Sequence, residues 1–127
     1  MKLRCTHNSI RIRLRKSELE QLDQGLALEE TIGFPNGHSL VFQVFVSHGI
    51  SELEAAFNEH LMSLKLPEAR AKTWIRTEQV GMEALLPLAN GEHLELLIEK
   101  DFPCKDRPDE DRSDLFAELA EKNPDHC

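Results

Sequence analysis

The sequence predicts an α+β protein of about eight strands, mainly antiparallel, arranged as a sheet or a closed barrel, with two helices and a short third at the C-terminus. Three observations predict it. Apolar and polar residues alternate over most of the chain, two Asn-Gly pairs separate alternating runs, and two short segments switch to helical spacing.

Residues 2–6 and 9–15 both alternate, and in the second run Ile10, Ile12 and Leu14 take one face while Arg11, Arg13 and Arg15 take the other. A period of two means a half-buried strand, and His7-Asn8 is short enough to close a hairpin. Ser17 and Glu20 have the spacing of a capping box, Leu19 and Leu22 face the core, and Gly25 is placed to stop the helix. Residues 27–34 form the next strand. Asn36-Gly37 then turns the chain, because this pair accepts the positive φ angles of a tight hairpin. Leu40, Phe42, Val44 and Val46 line one face of the returning strand and Val41 and Phe45 the other, which suggests a central strand covered on both sides.

The second half follows the same plan. Leu53, Ala55 and Phe57 alternate, as do Met62, Leu64 and Leu66. Pro67 suits the first turn of a helix whose apolar side is Ala71, Trp74 and Ile75. Val80, Met82, Ala84, Leu86 and Leu88 lead to Asn90-Gly91, and Leu94, Leu96 and Ile98 return. Asn36-Gly37 with Leu40, Phe42 and Val44 matches Asn90-Gly91 with Leu94, Leu96 and Ile98 at a constant offset of 54 residues. This predicts a duplicated hairpin–helix–hairpin unit, residues 1–50 and 51–104, in one domain. Residues 101–112 hold two prolines and five acids and read as a linker, and Leu115, Phe116, Leu119 and Ala120 as a short amphipathic helix. Residues 105–127 are thus expected to be an acidic appendage.

The 127 residues suit one core, and 40% hydrophobic with 30% charged residues describes a soluble domain. No apolar run approaches the roughly 20 residues that span a bilayer, and the first sixteen residues do not resemble an export leader. Three cysteines, an odd number with no Cys-x-x-Cys, fit a reducing cytoplasm. The net charge of −8 argues against general nucleic-acid binding. It is unevenly spread: +6 over residues 1–16, −9 over 17–100 and −5 over 101–127.

That asymmetry points to a site. Lys2 and Arg4 share a face of the first strand, and Arg11, Arg13 and Arg15 a face of the second. Five cations in cross-strand reach repel unless anions intervene. Glu99 and Lys100 at the end of the last strand are expected to adjoin them. The preferred function is therefore a non-catalytic binding module for an anionic small molecule or acidic protein, and Arg11→Glu with Arg13→Glu is expected to abolish binding while sparing the fold. The alternatives are a solvated face balanced by glutamates, and a metal-dependent enzyme acting on a phosphorylated or polyphosphate substrate in a barrel-like tunnel. The tunnel chemistry lacks the amino-terminal Glu-x-Glu-x-Lys run it calls for. No nucleophile elbow, phosphate-cradling loop or Rossmann glycine run occurs, so no catalytic residue and no cofactor are assigned. Cys5 and His7 could reach one zinc ion if Cys104 or His126-Cys127 joined them, but the metal-free reading is preferred.

The blocks Met1-Lys2-Leu3-Arg4, residues 8–14 with Ser17-Glu18, Leu64-Lys65-Leu66-Pro67 with Trp74, residues 79–83, and residues 97–104 resemble a family of short uncharacterised bacterial proteins. The resemblance covers about residues 1–104. It implies a cytoplasmic bacterial protein in which the arginine strand and the Glu99–Cys104 strand end belong to the common plan, and it assigns no activity.

Overall fold

The computed structural model describes residues 1–103 and 111–123. In chain order they form β1 (Lys2–Thr6), β2 (Ser9–Leu14), α1 (Lys16–Asp23), β3 (Leu28–Gly33), β4 (Ser39–Ser47), β5 (Glu54–Asn58), β6 (Leu61–Pro67), α2 (Glu68–Arg76), β7 (Gly81–Pro87), β8 (His93–Lys100) and α3 (Ala117–Lys122). The fold is α+β, as expected. The strands do not close into a barrel. They form two four-stranded sheets, the first ordered β1-β2-β8-β7 and the second β3-β4-β6-β5.

The four sequence-adjacent hairpins are antiparallel, but each sheet joins two hairpins through a parallel central pair, β2 with β8 and β4 with β6. Local alternation fixes which face a residue takes and says nothing about which distant strand lies alongside. The two central pairings are related in register. Ile12 lies beside Ile98 and Leu64 beside Val44; Ile12 to Leu64 is a step of 52 residues, and Val44 to Ile98 a step of 54.

One core serves both sheets. Ile12, Leu14, Met82, Leu96 and Ile98 from the first sheet pack with Leu28, Val44, Leu64 and Leu66 from the second, together with Leu19, Leu22, Ala71 and Trp74 from the helices. Fully burying an aliphatic side chain contributes about 1.5–3 kcal/mol, so this set outweighs any surface interaction. Trp74 is wholly enclosed and its indole N–H donates to the Val80 carbonyl at 3.0 Å, which satisfies its polar edge. Phe57 continues the apolar face of β5 beyond the core and is 64% exposed. Val41 and Phe45, expected to be covered, are only half-buried on the outer face of β4.

Helix α1 has its cap two residues before the expected one. Arg15, not Ser17, precedes it, and Glu18, not Glu20, reaches back to accept from the Arg15 backbone N–H at 2.9 Å. Ser17 lies inside the first turn, where a distant residue caps it: the Asp114 carboxylate accepts from the Ser17 backbone N–H at 3.1 Å and from its hydroxyl at 2.6 Å. Glu18 also pairs at 2.8 Å with the amino group of Met1. Gly25 ends the helix as expected, with φ +84°, a Gly25 N–H bond to Leu22 and a Leu26 N–H bond to Gln21.

The Ser17 hydroxyl holds the Asp114 carboxyl below its ordinary range, with Arg15 and Lys16 adding in the same direction. A depressed folded pKa means stability that is present above the ordinary value near 3.8 and lost as pH falls through the folded value. Asp114→Ala is therefore expected to lower unfolding stability by about 1 kcal/mol at pH 7. Denaturation at a series of pH values checks it: the gap between wild type and variant should close below about pH 4.

Candidate functional site: the charged face of the first sheet

Alternation along β1, β2 and β8 sends one set of side chains to the core and the other to the opposite face of the first sheet. Lys2 lies across from Arg13, and Arg4 from Arg11, in the β1–β2 register. The parallel register then sets Arg11 beside Leu97 and Arg13 beside Glu99. Lys2, Arg4, Arg11, Arg13 and Glu99 thus share one face.

Glu99 is at the centre of it, only 1% exposed. Its Oε1 accepts from Arg11 Nε at 2.6 Å and from Arg13 Nε at 2.7 Å. The Arg13 guanidinium also lies over the Phe102 ring, 5.1 Å from its centre. Asp101, equally buried, balances Lys2 at 3.0 Å and Arg13 at 3.8 Å, and neither of its oxygens accepts a hydrogen bond among the described residues. A carboxylate in this setting requires its cations, because an unpaired buried charge costs several kcal/mol.

Room for Glu99 comes from β7. Gly81 pairs with Glu99, and a Cβ at Gly81 would sit 2.5 Å from the Ile98 carbonyl oxygen and 2.8 Å from the Glu99 Cβ. The sequence signal was present, a glycine inside a strand pattern, which marks a close backbone approach. Asp101 and Phe102 also belong to the cluster, although their acidic, proline-bearing surroundings carry the sequence pattern of a linker.

The remaining expected residues lie elsewhere. Arg15 caps α1, where hydrogen bonding to Glu18 raises its pKa above the ordinary value. Lys100 points to the core side of β8: its ammonium donates to the Thr77 carbonyl at 2.6 Å, at the end of α2, and lies over the Phe116 ring. Burial lowers the Lys100 pKa, with Glu118 and Glu78 opposing. Cys5 is exposed on β1 and His7 occupies the turn. No group of three metal-ligating side chains forms among the described residues, and Cys104, His126 and Cys127 lie outside them. The two open sheets also leave the barrel-like tunnel of the enzymatic alternative unformed.

Residues 1–120 match the profile of a family described as a family of unknown function, DUF7009. The chain belongs to this family. Neither the curated proteins nor the solved structures yield a match. The DUF7009 match runs past residue 104, so it takes in the Asp114 cap and the buried Leu115 and Leu119, which the resemblance read from sequence did not cover. Among the described residues no helix is long and apolar enough to cross a membrane.

The geometry changes what the arginine reversal does. Arg11→Glu with Arg13→Glu would place two more carboxylates against buried Glu99, so this variant is expected to lose cooperative folding rather than spare it. The milder Arg11→Ala with Arg13→Ala is expected to cost about 3–5 kcal/mol. Gly81→Ala is expected to cost about 1–3 kcal/mol through overpacking. Urea denaturation with unchanged m-values measures both losses.

Proposed function

We propose that the chain is a non-catalytic binding module whose first hairpin receives an anionic ligand or an acidic segment of a partner. One observation carries the reading: four cations share the outer face of the first sheet with two buried carboxylates, and exposed Arg4 has no ion-pair partner among the described residues. Arg11 and Arg13 hold the fold together, so Arg4, with half-exposed Lys2 beside it, is the group free to meet an anion. A guanidinium on a rigid strand loses little freedom on binding and suits bidentate contact with carboxylate or phosphate. On this reading the protein works in a reducing cytoplasm, where exposed Cys5 stays a thiol.

Titration of the 15N-labelled protein with tripolyphosphate, and separately with a hexa-aspartate peptide, tests the site and distinguishes the two ligand chemistries. Amide shifts are expected at residues 3–5 and 10–12 for at least one probe, and they should vanish in Arg4→Glu while its urea midpoint stays unchanged. Failure of both probes to shift these amides, or equal shifts in Arg4→Glu, would remove the proposal.

A further inference from the structure

A cleft of about 350 Å³ lies between the C-terminal end of α1 and one face of α2. Its apolar lining is Leu22, Val46, Ala71 and Ile75. Its charged rim is made of pairs: Asp23 with Arg76, and Glu68 with both Lys72 and His48. The register relations of the two sheets assign this cleft a counterpart elsewhere in the molecule. The step of 52 residues that carries β2 onto β6 also carries Lys16, Leu19 and Leu22 of α1 onto Glu68, Ala71 and Trp74 of α2, the last two of which share the core with Leu19 and Leu22. The step of 54 carries Val46 onto Lys100, which pair with Leu66 and Leu14 respectively. The counterpart of the cleft is therefore the region around Lys16 and Lys100.

That counterpart is filled, and the chain's own C-terminal segment fills it. Asp114 caps the first turn of α1 through Ser17. Phe116 lies beneath the ammonium groups of Lys16 and Lys100, at 5.4 and 5.5 Å, and its backbone N–H donates to the Asp101 carbonyl. Leu115 and Leu119 are buried, Glu118 pairs with Lys16 at 3.6 Å, and Lys122 pairs with Glu78 at 2.5 Å. An acid followed by Leu-Phe and one helical turn is thus a segment that this geometry accepts.

We infer that the open cleft is a docking groove for a short amphipathic helical segment of a partner protein, seated as residues 114–122 seat in the filled groove. The differences between the grooves define its chemistry. Val46 stands where the filled groove has Lys100, and Leu26, which is 54% exposed, directly follows Gly25 of the cleft lining. The partner segment is accordingly more apolar than the chain's own, with an aliphatic side chain in place of Lys122 to meet Leu26. Glu68 replaces Lys16, so the position of Glu118 calls for a Lys or Arg. The first turn of α2 has no side-chain cap, and an Asp or Ser ahead of the apolar pair satisfies it as Asp114 satisfies Ser17.

The test uses the full chain and two synthetic peptides: residues 112–123 as they stand, and the same peptide with Glu118→Lys and Lys122→Leu. Amide shifts at Leu22, Val46 and Ile75 on adding the second peptide are expected, with affinity about tenfold above the first. Leu26→Asp, at an exposed position, should weaken the second peptide about tenfold with no change in thermal midpoint. Shifts confined to Lys16, Ser17 and Lys100 would mean exchange with the chain's own segment and would overturn the inference. So would the absence of shifts at millimolar peptide, or binding indifferent to Leu26→Asp.

Discussion

The structure depends on two parallel strand pairings that join distant parts of the chain. Each hairpin–helix–hairpin half sends its first hairpin to one sheet and its second to the other, so β2 finds β8 and β4 finds β6. Neither half can complete a sheet by itself, and an isolated two-stranded hairpin is at best marginal in water. The apolar faces of all four hairpins are buried only when both halves are present. Ile12 against Ile98 and Val44 against Leu64 are the contacts at which the two halves become one core.

The charged face follows from that constraint. Parallel pairing sets Arg13 beside Glu99, and the exclusion of water from β8 makes the glutamate depend on Arg11 and Arg13. Gly81 makes the burial possible from the other side. A buried carboxylate held this way adds little net stability, since desolvation offsets much of the attraction, but it opposes any shift of β2 against β8. Arg4, one strand out from this clamp, is free of it. The split between Arg11 and Arg13 as structure and Arg4 as contact surface is what the proposed binding role rests on.

Much of the fold was legible in the sequence because alternation is a local signal with one physical meaning. Ile10, Ile12 and Leu14 had to face inward together, and Asn36-Gly37 and Asn90-Gly91 had to turn. Pairing was not legible, since nothing in β2 names β8 as its neighbour, and the choice between sheet and barrel turned on that pairing. The site was half legible. The arginine face and Glu99 were found by period two, which also places Lys100 on the opposite face. Asp101 and Phe102 were lost to an acidic, proline-bearing stretch read as linker. Ser17 was given the capping role because the local Ser-x-x-Glu pattern carries no sign that Asp114, nearly one hundred residues away, would cap the same turn.

The interdependence of the halves is tested most directly by separating them. Residues 1–50 and 51–127, expressed apart, should each give a poorly dispersed amide spectrum, and mixing them at equal concentration should restore the dispersed spectrum of the intact chain. A dispersed, cooperatively melting spectrum from either fragment alone would contradict the account.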